Sequence, residues 1–493
     1  MRRARVAVRL AVLAVSLLCS FAPAPLGAAN PDRSKPPAPG PPAPLRLPET
    51  QKLRLSNGIP VFLVERHKLP LAEVLVVLRA GASGDPPGKS GLASLTAALL
   101  ERGAGGRSAL ELSDVADFLG ADVSAGADRD STTVAINVPS ARLPDAVGLL
   151  SDLVRNPTFP EEELERVRDE RLTDILQWRD EPEQIAATAF ASVVYGAHPY
   201  SQRIEGSERS LRSSTREDVR RFHAAHYAPV SAAIVAAGDV NARDLLPLLE
   251  RAFGSWKATA GAAAVAPPPP AKQIRERRIL LVDKPGAAQS EIRIGRVGPP
   301  RATHDYFPLL VTNTIFGGSF TSRLNHNLRE TKGYTYGAFS RFGFGLSTGP
   351  FIALAAVQTD KTGPALAEFF RELEAIRAEV SPDELQRAKN YAALRYPAQF
   401  ETDAQVAEHI RDQFVYGLPD DYFNTYVERI QAVTADDVRR VAREWIDPNG
   451  CVVVVVGDRS KIEPQIRALN LGPLRLASVD DVLGSAPAKA RKR

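Results

Sequence analysis

The spacing of apolar residues along the chain predicts a mixture of strands and helices. Three short apolar or alternating runs are typical of strands: GIPVFLVER, AEVLVVLRAG and STTVAINV. Two longer segments have the apolar repeat of helices, namely ARLPDAVGLLSDLVRNP and EEELERVRDERLTDILQW. The second of these begins with three acids directly after Pro160, which favours a helix start. Because the strands are not regularly followed by crossover helices, the pattern predicts an α+β fold with mixed sheets.

The chain divides into two similar halves. An Ala/Pro-rich stretch at 258–272 predicts a linker between an N-terminal lobe, 49–257, and a C-terminal lobe, 273–471. Each lobe contains one copy of a repeated segment, at a constant offset of 219 residues: TREDVRRFHAAHYAPVSAAIVAAGD and TADDVRRVAREWIDPNGCVVVVVGD. This internal similarity predicts that the two lobes share one topology and arose by duplication.

The ends of the chain differ from the lobes in composition. Residues 1–29 combine a basic start, an apolar run and small residues near their end, which predicts a secretory signal peptide. A Pro-rich spacer follows at 30–48, and residues 472–493 form a basic tail. We therefore expect a periplasmic or secreted location without a stable membrane span. Lipidation at Cys19 is the less favoured alternative, because Leu18 stands where a small residue is preferred.

Charge and cysteine content exclude two further classes of protein. The formal net charge is +4, and the four arginines of the signal segment account for all of it, so the remainder offers no basic face for nucleic acid. Without the signal segment Cys451 is the single cysteine, which excludes an intramolecular disulfide. Cys451 opens the run CVVVVVGD and is predicted to be a buried strand thiol rather than a nucleophile.

The strongest candidate for chemistry is the segment 317–337, GGSFTSRLNHNLRETKGYTYG. Two leucines four residues apart predict a helix, Gly333 predicts its end, and the aromatic residues beyond predict a strand. Arg329 and Tyr336 would then flank a helix-to-strand corner and face one cleft. The alternative is that Arg329 is a surface charge and Tyr336 a packed strand aromatic.

This segment resembles GGG-x-SSRL-x₃-LRE-x₂-GLAY of the insulinase (pitrilysin) zinc metallopeptidases. In that family the arginine and tyrosine of the segment hold the substrate backbone near the metal, and the matching residues here are Arg329 and Tyr336. The resemblance covers nearly all of residues 49–471. It implies two homologous lobes, each with helices packed on one face of a mixed sheet, that close on each other like a clam shell.

The same resemblance places a zinc motif on GKSGLASLTAALLERGAGG, where family members read G-L-x-H-x-x-E-H. The leading Gly-Leu pair is kept, and leucines spaced by three and four residues still predict a helix. The two histidine ligands correspond to Ser94 and Ala98, and the general base corresponds to Ala97. None of these three side chains ligates zinc usefully or accepts a proton.

The remaining ligand of the family is a glutamate, which corresponds to Asp174, 76 residues beyond Ala98. Asp174 is one methylene shorter and, standing alone, is expected to be an ordinary helix-surface acid. Among the seven histidines only His223 and His226 are close in sequence, and no carboxylate stands between them. The sequence therefore predicts that this chain binds no metal itself.

Three functions remain open. The first is the subunit without zinc in a two-chain, heteromeric insulinase-like peptidase: inactive alone, it would supply Arg329 and Tyr336 for peptide binding to a partner chain that carries the zinc. The second is a non-catalytic peptide-binding or scaffold protein of the same fold. The third is a stand-alone hydrolase of unrelated mechanism, for which no nucleophile, base and orienting group are evident.

Overall fold

The fold is α+β with two homologous lobes, as the sequence predicts. The computed structural model describes residues 40, 47–259, 261–262 and 266–485. The predicted signal peptide, 1–29, lies outside the described residues, as do most of the spacer and the last part of the tail, 486–493. Within the described ranges no helix is both long and apolar enough to cross a membrane.

The N-terminal lobe contains the first of two six-stranded sheets. Its elements, in chain order, are β1 Gln51–Arg54, β2 Pro60–Glu65, β3 Leu71–Leu78, α1 Leu92–Leu100, β4 Gly103–Ala104, β5 Arg107–Ser108, α2 Ala109–Leu119, β6 Asp122–Ala127, β7 Thr132–Pro139, α3 Leu143–Arg155, α4 Glu161–Trp178, α5 Pro182–Tyr195, α6 Glu208–Ser213, α7 Arg216–His226, β8 Ala232–Gly238 and α8 Ala242–Phe253.

The C-terminal lobe contains the second sheet. Its elements are β9 Arg278–Asp283, β10 Gln289–Gly298, α9 Tyr306–Phe316, α10 Arg323–Asn325, a π-helical turn His326–Thr331, β11 Thr335–Phe342, β12 Gly349–Gln358, α11 Thr362–Ala378, α12 Pro382–Arg395, α13 Asp403–Tyr416, α14 Tyr426–Ala432, α15 Ala435–Trp445, β13 Val452–Gly457, α16 Arg459–Ala468, β14 Leu474–Ser478 and α17 Val479–Leu483. The last strand and helix lie in the segment that the sequence assigns to the basic tail.

The two sheets have equivalent strand orders, β1-β2-β8-β3-β7-β6 and β14-β9-β13-β10-β12-β11. In each sheet one central pair is parallel, β2 with β8 and β9 with β13, and the next three pairs are antiparallel. The sheets differ at one edge, where β1 is antiparallel to β2 but β14 is parallel to β9. The strand order agrees with the internal repeat.

The repeated segments also begin with the same local structure. The Thr215 hydroxyl accepts a hydrogen bond from the Asp218 N–H at 3.2 Å, and Thr434 and Asp437 make the same contact at 3.2 Å. Each carboxylate bonds back to the threonine N–H, which completes a capping box and starts α7 or α15. Both helices lead into strands, β8 and β13, that are buried at every position. Such strands read as continuous apolar runs because both faces of the sheet are covered.

Each lobe contributes one helix to the sheet of the other lobe. Helix α5 packs on β10 and β13, and the absence of a side chain at Gly295 leaves room for the Phe190 ring, since an added Cβ would lie 2.8 Å from it. Helix α13 packs on β3 and β8, where Ile410 joins Leu75 and Val235 in one apolar core. Each large side chain buried in this way contributes about 1.5–3 kcal/mol. The exchange therefore joins the two lobes through their cores.

Candidate functional site

Arg329 and Tyr336 lie together at the helix-to-strand corner of the C-terminal lobe. The leucines of the segment, Leu324 and Leu328, are fully buried, and the chain around Arg329 forms a π-helical turn instead of the expected continuous α-helix. Gly333 has a φ of 64°, which allows the chain to leave this turn and enter β11. The two residues predicted from the sequence to face one cleft are thus adjacent in space.

The Arg329 guanidinium contacts two aromatic rings. Its Cζ atom is 4.4 Å from the centroid of the Phe320 ring and 5.2 Å from that of the Tyr336 ring. Its Nε is 3.3 Å from Oε1 of Glu330. Cation–π contacts of this kind contribute about 0.5–1 kcal/mol at exposed sites and limit the orientations of the guanidinium plane. The arginine is therefore held by these ring contacts, which leave N–H donors for a ligand.

Tyr336 occupies a β-bulge at the edge of its sheet. The pairing of β11 with β12 passes from Thr335–Val357 to Ala338–Ala355, so one extra residue of β11 is accommodated between them. The Thr335 hydroxyl donates to the Ala356 carbonyl at 2.6 Å, and the Ala338 N–H donates to Oδ1 of the buried Asn325 at 3.2 Å. These contacts fix both sides of the bulge.

The bulge exposes Tyr336 to solvent. The residue is 89% exposed, and within the described residues its hydroxyl makes no hydrogen bond. The alternative expectation, a tyrosine packed into the strand face, is therefore wrong, because the extra residue turns the side chain away from the sheet. Phe320 and Phe339, 59% and 49% exposed, make the surrounding surface aromatic.

Ion pairs from neighbouring helices position the segment that carries Arg329. Arg323 donates to both carboxylate oxygens of Glu384, through Nε at 2.8 Å and Nη2 at 2.9 Å. Glu384 also closes the capping box of α12 with Ser381. The Arg323 hydrogen bonds, together with the Ser381 N–H, lower the pKa of Glu384 to about 2 although burial opposes this. The Asn327 amide donates to two further acids of α11.

Sequence reasoning missed these supporting residues. Their only local signal is the S-x-x-E pattern from Ser381 to Glu384, which predicts a capping box but not its contact with Arg323.

The three degenerate positions of the zinc motif lie on α1, which is a helix as predicted. Ala97 is fully buried, whereas Ser94 and Ala98 are half-buried. Two backbone N–H groups at the start of α1, from Gly91 and Ala93, donate to the Asp85 carboxylate at 2.7 Å each. Burial raises the pKa of Asp85 to about 7 against the effect of these bonds. The helix is thus capped and packed although its chemical groups have changed.

The side chains present at these positions do not fit a zinc ion. On α1 the hydroxyl of Ser94 and the methyl group of Ala98 stand in place of the two histidine ligands, and the methyl group of Ala97 stands in place of the general base. Asp174 is exposed on α4. One turn before it, Arg171 donates through Nη2 to the Ser94 hydroxyl at 2.8 Å, so a cation borders the first ligand position. Among the described residues no group of three or more His, Cys, Asp or Glu side chains is arranged to hold a metal ion.

The remaining candidates for chemistry have structural partners. A ring nitrogen of His223 lies 2.8 Å from the Val154 carbonyl, and burial lowers the pKa of His223. Burial also lowers the pKa of His226, and its ring packs at a tilt against Phe222 with centroids 4.6 Å apart. Cys451 is buried at the start of β13, and burial raises the pKa of its thiol to about 12. A thiol of this kind is a poor nucleophile.

The fold and the site define a two-lobed protein that keeps the helix of a metallopeptidase centre without its ligands. Two family profiles match adjacent parts of the chain: the insulinase (peptidase family M16) domain at residues 61–208 and the peptidase M16 inactive domain at residues 213–391. The chain belongs to the insulinase family of peptidases, as a member without the zinc motif.

Relatives of this chain are described as zinc proteases. A protein of Mycobacterium tuberculosis named an uncharacterized zinc protease is 26% identical over 424 residues, which cover 85% of this chain and 96% of the relative. An uncharacterized zinc protease of Bacillus subtilis is 25% identical over 284 residues, 58% of this chain and 68% of the relative.

Solved structures agree with the fold. A peptidase M16 inactive domain from Pseudomonas fluorescens superposes with a TM-score of 0.78 at 25% identity, covering 83% of this chain and 98% of that structure. A protease from Helicobacter pylori has the same TM-score of 0.78 at 23% identity, over 83% and 100% of the two chains. The second likeness concerns the fold alone.

Proposed function

We propose that this chain is the subunit without zinc in a heteromeric insulinase-like metallopeptidase and that it is inactive alone. Arg329 and Tyr336 bind the peptide substrate of a partner chain, which carries the zinc ion. The observation that supports this most strongly is the stacked Arg329–Tyr336 pair, with its exposed phenol, in a chain whose own metal positions hold no ligands.

The chemistry of the pair suits an extended peptide. A guanidinium is always protonated and offers several N–H donors, and a phenol offers one O–H donor, while a peptide backbone presents carbonyl oxygens. The two rings that flank Arg329 restrict its guanidinium before any ligand arrives. Hydrogen bonds from donors that are already fixed in place become stronger when the acceptor oxygen gains negative charge during the reaction. Stabilising that charge is the contribution that the proposal assigns to this chain.

The second candidate, a peptide-binding or scaffold protein, is favoured by a different observation. Strand β11 is the edge strand of its sheet, and it carries two exposed aromatic side chains, Tyr336 and Phe339. The exposed ring of Phe320 lies nearby, since it contacts the same guanidinium as Tyr336. An edge strand can accept an extended peptide as an additional strand without any cleavage. This candidate requires the same pair for binding but no partner with zinc.

Export to the periplasm or the exterior completes the proposal and rests on the composition of residues 1–29. A partner for this chain is then an exported protein as well. N-terminal sequencing of the protein from its native host tests export, and retention of residues 1–29 on a cytoplasmic protein would contradict it.

Co-purification from the native host tests the main proposal. The expected companion is an insulinase-like chain with an intact H-x-x-E-H motif, and cleavage of a library of quenched peptides should require both chains and be abolished by a chelator. Equal cleavage by the companion alone would argue against the proposal. Peptide binding without a peptidase companion would favour the scaffold, and chelator-insensitive cleavage by this chain alone would favour a stand-alone hydrolase.

A further inference from the structure

The side chain of Arg171 connects the helix of the former third ligand to the helix of the other two. It extends from α4 to α1, where Nη2 donates to the Ser94 hydroxyl at 2.8 Å and Nη1 lies 3.4 Å from the Gly91 carbonyl. Arg171 precedes Asp174 by one helical turn, and Ser94 is the position of the first ligand. The guanidinium therefore stands beside the degenerate positions of both helices.

Four acidic side chains act electrostatically on this guanidinium. Burial lowers the pKa of Arg171, and the carboxylates of Glu205, Asp174, Asp85 and Glu170 oppose this by favouring its charged form, in that order of strength. A guanidinium remains protonated under such conditions because its ordinary pKa is above 12. Two of these acids have other partners as well, since Glu205 pairs with Arg203 at 3.4 Å and Glu170 pairs with Arg166 at 3.7 Å. Arg171 adds to these a positive charge that lies against the start of α1, one turn from Asp174.

We propose that Arg171 is the resident cation of this site: it supplies in permanent form the positive charge that an insulinase-family metal would supply, joins α4 to α1 through Ser94, and excludes a divalent ion. The inference concerns the chain alone and does not rest on the proposed function. It implies that restoring the ligands is not sufficient to restore metal binding, because a fixed guanidinium beside Ser94 repels a divalent ion at short range.

Two matched variants test the exclusion. Both carry Ser94→His, Ala97→Glu, Ala98→His and Asp174→Glu, and one also carries Arg171→Gln. Zinc content after dialysis and titration against a competing chelator give the affinities. We expect no stoichiometric zinc while Arg171 is present and one zinc per chain, with an affinity higher by about 100-fold, when it is Gln. Affinities within about 3-fold of each other, or no zinc in either variant, would overturn the proposal.

A charge control uses the same helix. Arg166→Gln in the restored background removes one positive charge from α4, but Arg166 is exposed, and its ion-pair partners among the described residues are Glu163 and Glu170. We expect this control to bind as little zinc as its parent. Zinc binding by the control equal to that of the Arg171→Gln variant would mean that net charge, not the position of Arg171, decides the outcome.

A second measurement avoids the restored motif altogether, in case those variants do not fold. Arg171→Gln in the otherwise unchanged chain should lower the Tm, because the charge-assisted hydrogen bond from α4 to Ser94 is lost. Added Mg²⁺ should raise the Tm of this variant more than that of the unchanged chain, because the Asp174 carboxylate then lacks the guanidinium one turn away. Arg171→Lys should retain part of the stability, since it keeps the charge but not the planar donors. An unchanged Tm for Arg171→Gln would overturn the structural part of the proposal.

Discussion

The variant Tyr336→Phe separates a substrate-binding role for this residue from a structural one. The substitution removes one hydroxyl and keeps the ring that stacks on Arg329. Because the residue is 89% exposed and its hydroxyl has no hydrogen-bond partner among the described residues, the isolated chain should lose less than ~0.5 kcal/mol in stability. Any larger effect must come from a molecule that binds at this surface.

The expected effect on the complex is much larger. Removing one preorganised donor to a developing negative charge typically lowers the rate by a factor of about 10² to 10³, or about 2.7–4 kcal/mol. Arg329→Ala should cause a loss of at least the same size. In the isolated chain it removes two cation–π contacts, for about 1–2 kcal/mol of stability. Tyr336→Phe is therefore the more specific of the two variants.

The assay is steady-state cleavage of a quenched peptide by the reconstituted complex, with zinc content and complex assembly measured in parallel. An equal loss in kcat and kcat/KM indicates that the hydroxyl acts in the transition state, whereas a rise in KM alone indicates binding of the ground state. The pair Arg395 and Tyr391 on α12 provides a control away from this surface, because it is a second arginine beside an exposed tyrosine ring, at 4.8 Å. It differs from the first pair in that the Tyr391 hydroxyl accepts a hydrogen bond from Arg395. Tyr391→Phe should leave both parameters unchanged.

Two outcomes would refute the reasoning. Full activity of both the Tyr336→Phe and the Arg329→Ala complexes, with unchanged KM, would remove the catalytic role and leave the scaffold candidate in front. Loss of assembly in Tyr336→Phe would show that the phenol contacts the partner chain and not the substrate.

Three further predictions concern the chain alone. After dialysis it should contain no stoichiometric zinc, and one zinc per chain that is lost on Asp174→Ala would contradict the assignment of a degenerate site. Glu384→Gln should cost ~2 kcal/mol near pH 7. The pKa of Glu384 in the folded chain, about 2, lies below the ordinary value of 4.5. Its contribution to the free energy of unfolding is therefore complete above pH ~5 and is lost as the pH falls to 2. Urea titrations should give the two proteins the same stability at pH 2. Gly91→Ala should cost ~2–4 kcal/mol, because φ is 90° and the new Cβ would lie 2.7 Å from the Glu205 carbonyl, whereas Gly148→Ala, in an open place within α3, should stabilise slightly.

Much of the fold was predictable because local signals and global repetition agree. The copies that begin at Thr215 and Thr434 predict that the two lobes share one topology, and each copy contains a helix with the same capping box followed by a buried strand. The start of α4 at Glu161, directly after Pro160, was also predictable from the acidic first turn. Signals of this kind depend on residues close in sequence, which is why they survive without knowledge of tertiary contacts.

The exchange of helices between the lobes was not predictable from apolar spacing. Helix α5 shows an ordinary apolar stripe, and the same stripe would suit the sheet of either lobe. Complementary packing between residues distant in sequence, such as Phe190 against Gly295, determines which sheet the helix covers. Periodicity identifies which face of a helix is buried but not which surface buries it.

The candidate site was predictable in part, and the reason differs between its two regions. The resemblance pointed to Arg329 and Tyr336, but the π-helical turn and the bulge that bring them together have no signal in single-residue preferences. Arg171 was missed because an arginine within EEELERVRDE looks like one of many solvated helix charges. Its contact with Ser94 depends on the packing of α4 on α1, which only the tertiary structure reveals.

The surroundings of α1 and the corner at β11 also differ in how their side chains affect stability, and this difference bears on function. Around α1 the replacements form a satisfied local structure: Asp85 caps the helix, Ala97 packs, and Arg171 bonds to Ser94. At the corner of β11 the arrangement is opposite, because Tyr336 and Phe320 expose apolar rings beside an edge strand, a combination that invites unwanted association. The two cation–π contacts of Arg329 stabilise the fold by only about 1–2 kcal/mol. A ligand that covers this surface, a peptide held jointly with a second chain in our proposal, gives a stronger reason to keep it.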